Sequence, residues 1–164
     1  MISIRTLQPA DWPEVKQIYL EGIATGQATF QTEAPSWEDW DKSHLPLRYV
    51  ALFGGNEIAG WAALSPVSSR CVYAGVAEVS VYIGEHFREQ RLGFALLEHM
   101  IAESEKANIW TLQSGIFPEN VASVKLHEKL GFRVIGHREK VAKQNGVWRD
   151  VYLLERRSNI VGID

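Results

Sequence analysis

The chain has 164 residues, 46% hydrophobic and 23% charged, with a formal net charge of −3, which suits one globular domain and leaves no basic excess for nucleic acid. No apolar run approaches the ~20 residues that span a bilayer, and the start Met1-Ile2-Ser3-Ile4-Arg5 lacks the pattern of a signal peptide. A single cysteine, Cys71, excludes an internal disulfide and a cysteine-rich zinc cluster, so the expectation is one cytoplasmic domain over residues 1–164 with no metal, membrane or nucleic-acid partner.

Taken in chain order, Ile2, Ile4 and Leu7 alternate as a first short strand. Asp11 and Glu14 have the spacing of a capping box, with Pro13 in the first turn, and Val15, Ile18 and Tyr19 make one apolar helical face. Ser36 and Asp39 have the same spacing before a short helix carrying Trp37 and Trp40. Strands are predicted over Tyr49–Phe53 and Ile58–Leu64, flanking a hairpin turn at 54–57, and again over Val76–Ile83. Leu92, Leu96, Leu97, Met100 and Ile101 give a helix from about 92 to 106, and Trp110–Ile116 reads as a strand. A helix over 120–130 stops at Gly131, a left-handed C′ position. Phe132–Arg138 and Val147–Leu154 are the last strands, joined through Asn145-Gly146. Hairpins first and strand–helix–strand units later imply an α/β or α+β fold around one central sheet.

The most informative stretch runs from the strand Val79-Ser80-Val81-Tyr82-Ile83 into Gln90-Arg91-Leu92-Gly93-Phe94-Ala95, which opens a helix. A helix start offers unpaired N–H groups and the positive end of the macrodipole, both suited to a pyrophosphate. Gly93 and Ala95 let the backbone approach closely, and Arg88 and Arg91 add positive charge. The segment also reads as an ordinary strand-to-helix turn. It contains neither the Gly-x-Gly-x-x-Gly of a dinucleotide site nor the Gly-x4-Gly-Lys-Ser/Thr of a P-loop.

Gln90-x-x-Gly93-x-Ala95, followed by Asn120-Val121-Ala122-Ser123 and Leu126-His127-Glu128-Lys129-Leu130-Gly131-Phe132, resembles the GNAT superfamily of N-acetyltransferases. The resemblance implies a GNAT fold, with a mixed, mostly antiparallel twisted sheet splayed at the acetyl-CoA site and flanked by helices. It implies acetyl-CoA as co-substrate and no metal. It also implies that Val81, Tyr82 and Ile83 pair with the pantetheine arm, that residues 90–95 hold the pyrophosphate, and that Asn120 contacts the arm. Asn120 reads equally well as an N-cap.

Further segments narrow the resemblance to the phosphinothricin N-acetyltransferase branch: Ala28–Glu33, Arg70-x-x-Tyr73, Ala77–Tyr82 and Gly146-x-Trp148-x-Asp150-Val151. That branch implies a small amine substrate such as phosphinothricin or methionine sulfoximine, and a homodimer. It implies that Arg70 holds the substrate's acidic group by a bidentate pair, with Phe30 and Tyr73 shaping the pocket. Asn145 stands where some members of the branch have histidine.

Acetyl transfer to an amine requires removal of the ammonium proton and is helped by a proton donor to the departing thiolate. Glu78, in an otherwise apolar strand beside the cofactor segment, is the candidate base; alternation alone also allows a solvent-facing residue. His127 is the candidate acid, or a packing residue. Arg70 also reads as a surface-loop arginine. Two other functions fit the residues: acetylation of another small amine or a protein N-terminus, and a non-catalytic acyl-CoA-binding module.

Overall fold

The strands predicted from alternation join into one sheet in the computed structural model, which describes all residues, 1–164. Seven strands run in the order β1-β2-β3-β4-β5-β7-β6. They are β1 (Ile2–Thr6), β2 (Arg48–Phe53), β3 (Glu57–Pro66), β4 (Val76–Ile83), β5 (Thr111–Ile116), β6 (Arg133–Gln144) and β7 (Val147–Arg157). Every adjacent pair is antiparallel except β4 with β5. Helices α1 (Trp12–Thr25) and α2 (Trp37–Ser43) pack on one face, and α3 (Leu92–Lys106) and α4 (Val121–Lys129) on the other. The expected mixed, mostly antiparallel sheet flanked by helices is the fold observed.

Side-chain alternation divides the core in two. Ala77 and Val79 of β4 join Leu92, Leu96, Leu97 and Met100 of α3 in the larger cluster. On the opposite face, Trp61 and Ala63 of β3 pack with Val15 and Ile18 of α1 and Trp40 of α2. Glu78, Ser80 and Tyr82 share this second face, because they pair across the ladder with Ser65, Ala63 and Trp61.

Two local expectations need correction. The Asp11–Glu14 capping box does not form. The Asp11 carboxylate turns back, accepting from the Gln8 backbone N–H at 2.7 Å and from both terminal nitrogens of Arg5. The Arg5 hydrogen bond holds the Asp11 carboxyl below its ordinary pKa, so this clasp contributes stability above the ordinary aspartate range and loses it as pH falls through the lowered value. The second correction concerns β6, which runs past Arg138 to Gln144 because a bulge absorbs the break in alternation. Its turn into β7 has Asn145 at φ 51° and Gly146 at φ 79°, as a type I′ hairpin requires.

α1 approaches β4 closely because position 22 has no side chain. A Cβ built on Gly22 would lie 2.7 Å from Cδ2 and Cε2 of Tyr82. Gly22→Ala is therefore expected to push Tyr82 off Trp61 and cost about 1–3 kcal/mol, measured by urea unfolding. Parental stability would show that the helix can slide without cost.

Candidate active site

β4 and β5 pair for three residues only: Val76 with Thr111, Ala77 with Leu112, and Glu78 with Gln113. Beyond Glu78 the strands separate, because β5 takes its other partner from β7 while β4 stays on β3. The β5-facing edge of β4 from Val79 onward therefore has no strand partner, although a sheet interior normally pairs such groups. The gap opens into a cleft of about 450 Å³. Glu78 stands on the last paired rung.

Four of the sequence-predicted residues from three parts of the chain meet in this cleft: Phe30, Glu78 on β4, and Asn120 and His127 of the α4 segment. Val81 and Tyr82 also line it. A second chamber of about 550 Å³, on the α1–α2 side, shares Thr29, Glu78, Ser80 and Tyr82 with the first. Glu78 thus borders both chambers. Its side chain is open to solvent yet set in a concave wall, and partial loss of water raises its pKa above the ordinary glutamate value.

Tyr82 stacks on Trp61, with centroids 4.8 Å apart, and meets Tyr19 edge-on at 5.0 Å. Burial first, and then the neighbouring Tyr19, push the Tyr82 phenol well above its ordinary range; a hydrogen bond with Thr29 opposes them. Tyr82 is therefore a neutral, protonated wall and hydrogen-bonding group at neutral pH.

His127 is buried at the back of the cleft, edge-on to Phe132 at 5.0 Å. Its Nδ1 lies 2.7 Å from the Ser123 carbonyl oxygen, a contact that requires Nδ1 to carry the proton. Burial lowers its pKa despite that bond, so the ring is neutral and Nε2 accepts. This tautomer argues against the predicted proton-donating role at neutral pH.

Asn120 caps α4 by accepting from the Ser123 N–H at 3.3 Å, and it donates to the Gln27 carbonyl oxygen at 3.3 Å. The cap and the cleft wall are one residue. The segment 26–30 that closes the cleft is held a second time by the β6–β7 hairpin. Arg149 donates to the Gly26 carbonyl at 3.0 Å and to Gln27 Oε1 at 2.8 Å, and also to Gln144 Oε1. Gln144 donates to the Thr29 carbonyl at 3.0 Å. The Arg149 guanidinium lies 4.0 Å from the Phe117 ring centroid, and Phe117 in turn meets Phe30 edge-on. Sequence reading missed Arg149, since nothing near it in the chain reveals contacts more than a hundred residues away.

The predicted phosphate segment lies at the far end of β4. Glu89 and Arg91 both have positive φ, 68° and 62°, and α3 starts at Leu92 without a side-chain cap. Ala95 N–H is the first to find a carbonyl, that of Arg91 at 3.2 Å. The N–H groups of Leu92, Gly93 and Phe94 are left directed out of the helix start, the arrangement that receives a phosphate. A Cβ on Gly93 would lie 3.2 Å from Leu126 Cδ2, so this end of α3 packs tightly against α4. The Leu92 side chain is in the core and can serve a ligand only through its backbone. Ile83 likewise packs on the core cluster.

Arg70 and Tyr73 line neither chamber. The β3–β4 connection turns outward at Ser68, whose Oγ accepts from the Arg70 N–H at 3.1 Å. The Arg70 guanidinium lies 5.9 Å from the centroid of Tyr73, which is itself exposed. Asn145, at the hairpin tip, also lines neither chamber. No group of three or more His, Cys, Asp or Glu is arranged to hold a metal, and no helix is long and apolar enough to cross a membrane.

Residues 3–132 match the family described as "Acetyltransferase (GNAT) family". The chain is 30% identical over 159 residues to a phosphinothricin N-acetyltransferase of Streptomyces viridochromogenes, covering 94% of this chain and 87% of that one. It is 26% identical over 159 residues to an L-methionine sulfoximine/L-methionine sulfone acetyltransferase of Pseudomonas aeruginosa, covering 93% and 92%. Its fold is shared with a phosphinothricin acetyltransferase of Sinorhizobium meliloti solved in complex with AcCoA, at a TM-score of 0.90 and 23% identity, covering 99% of this chain and 91% of that one.

Proposed function

The chain belongs to the acetyltransferase (GNAT) family, and on that premise we propose that it moves the acetyl group of acetyl-CoA onto the amino group of phosphinothricin or a related amino acid such as methionine sulfoximine. The observation that carries this reading is the splay of β4 from β5 immediately beyond Glu78. It creates an unpaired strand edge for one substrate and a carboxylate within reach of the other.

Acetyl-CoA supplies an acetyl group activated as a thioester. The unpartnered N–H groups at Leu92, Gly93 and Phe94 suit its pyrophosphate, and the free edge of β4 beside Val81 and Tyr82 suits the amides of its pantetheine arm. Gln90, Arg91 and Ala95 flank the first of these sites, and Asn120 the second. Glu78 accepts the ammonium proton, directly or through a water, so that the nitrogen lone pair can form the new C–N bond as the C–S bond breaks. Its raised pKa brings it closer to the operating pH, where a general base is most effective. The chain needs no nucleophile for this route, and Cys71, exposed and outside both chambers, has no part in it. The nitrogen sheds a second proton as it becomes an amide, and the departing thiolate takes up that proton or one from solvent, since His127 holds a lone pair at Nε2.

Phe30 and Phe117 form the apolar wall on the acceptor side. A homodimer belongs to the same proposal: β6 is an edge strand with unpaired backbone groups, and apolar side chains are exposed at both ends of the β6–β7 hairpin, Val134 and Ile135 at its base and Val147 and Trp148 at its tip. Sedimentation should give twice the chain mass; a monomer at micromolar concentration would contradict it.

The substrate reading is tested by following free thiol release from acetyl-CoA with phosphinothricin, methionine sulfoximine, methionine sulfone and a peptide with a free N-terminal alanine. Turnover on at least one of the three amino acids, with little on the peptide, is the expected result. Turnover on the peptide alone would move the substrate to protein N-termini, and binding without transfer to any amine would point to an acyl-CoA-binding module.

A further inference from the structure

We infer that Arg138 is the residue that binds the anionic group of the amino-acid acceptor, placing it across the cleft from Glu78. Among the residues lining the main cleft, Glu78 and Arg138 are the only two with a full charge at neutral pH, and they are of opposite sign. They stand on different strands, β4 and β6. A molecule with an ammonium group and a carboxylate or phosphinate matches both ends at once.

The ladder puts Arg138 on the Glu78 face of the sheet: its partner Val151 alternates in phase with Glu155, which pairs with Gln113, the partner of Glu78, and a bulge follows. Arg138 pairs with Val151 and Ala142 pairs with Arg149, so the residues between them on β6 outnumber the single Asp150 opposite. Such a bulge shifts the residues that follow Arg138 out of simple alternation. Here Arg138, Val141, Ala142 and Val151 all line the cleft. Lys140 takes φ 46° at the crest. Asp150 pins the bulge, accepting from the Lys140 N–H at 2.8 Å and bonding His137 Nε2 at 2.7 Å.

Arg138 itself is unspent. None of the ion pairs within the chain involves it, whereas Arg5, Arg48, Arg133, Arg149 and Arg156 are each paired with a carboxylate. A guanidinium in a cleft with no acid of its own is a ready bidentate donor to a carboxylate or phosphinate. Arg70, the residue that sequence resemblance favours for this task, lines neither chamber.

The inference rests on the proposed amino-acid substrate, and its test separates the two. Methionine sulfone and its carboxamide, which lacks the anionic group, are titrated calorimetrically into the protein with coenzyme A present, and their KM values are measured with acetyl-CoA. Arg138→Ala should weaken methionine sulfone at least tenfold in both readouts and the carboxamide less than twofold. The KM for acetyl-CoA should be unchanged, and Arg138→Lys should recover part of the loss. Equal weakening of acid and carboxamide would reveal a structural role and overturn the inference. So would parental affinity of Arg138→Ala for the acid, or a parent that does not prefer acid over carboxamide. Arg138-dependent binding of the acid with no acetyl transfer would leave the anion site standing and remove only the substrate reading.

Discussion

Glu78→Gln is expected to lower kcat by about a hundred-fold or more, the scale of a lost general base, with acetyl-CoA affinity nearly unchanged. The pH dependence carries the sharper test. Because partial burial raises the Glu78 pKa, the proton is held to a higher pH than on an ordinary glutamate. Activity of the parent should therefore rise with pH through that raised value, along an acidic limb displaced upward from the glutamate range. In the Gln variant this limb should disappear.

Stability should move the other way. A raised carboxyl pKa means that the folded state binds the proton more tightly than the unfolded chain. The charged form therefore costs stability progressively as pH rises from the ordinary value through the raised one. Glu78→Gln removes that cost, so at neutral pH the variant should unfold no earlier than the parent. A variant that loses activity and stability together, with the acidic limb intact, would assign Glu78 to the framework.

Arg149→Ala carries the largest expected structural effect near the site. The side chain is only 13% exposed and ties the hairpin to residues 26 and 27 while covering Phe117. Truncation strands the Gly26 carbonyl and the Gln27 and Gln144 side chains, at about 1–3 kcal/mol, or a fall in Tm of roughly 2–12 °C for a chain of this size. The wall formed by 26–30 should loosen with it. The KM for the amine should rise about tenfold, with a smaller change in kcat and little change in the KM for acetyl-CoA. Arg149→Lys retains one point of attachment and should fall between. An amine KM equal to the parent's would show that this wall is held by Asn120 and Gln144 alone.

Much of this architecture is legible in the sequence because it rests on local signals. The alternation of Val76–Ile83, the apolar face of 92–106 and the Asn145-Gly146 turn each specify their own element. The start of α3 could be located because a glycine and two arginines follow a strand. What escaped were features created by distant partners. The Asp11 carboxylate has two rivals for its capping role, Arg5 and the Gln8 N–H, and only packing decides between them. The bulge at 139–141 is invisible in composition, since Glu139-Lys140-Val141 would continue an alternating strand equally well. Pairing with Val151 sets Arg138 on the cleft side, and the β3–β4 connection leaves Arg70 outside both chambers. Which arginine meets the acid depends on such long-range placement, which motif position alone does not reveal.

His127 illustrates a different limit. A buried histidine can donate or accept, and one carbonyl at 2.7 Å from Nδ1 decides which. No pattern in Leu126-His127-Glu128 contains that information.

Direct transfer from acetyl-CoA to an amino acid in the β4–β5 cleft is tested most directly by intact mass measurement of the protein and the acceptor together. The protein is mixed with acetyl-CoA first alone and then with methionine sulfoximine. The protein mass should stay that of the unmodified chain in both samples, and one acetyl group should appear on the amino acid for each coenzyme A released. An acetylated protein that forms without acceptor and discharges when the amino acid is added, or an acceptor that stays unmodified, would contradict it.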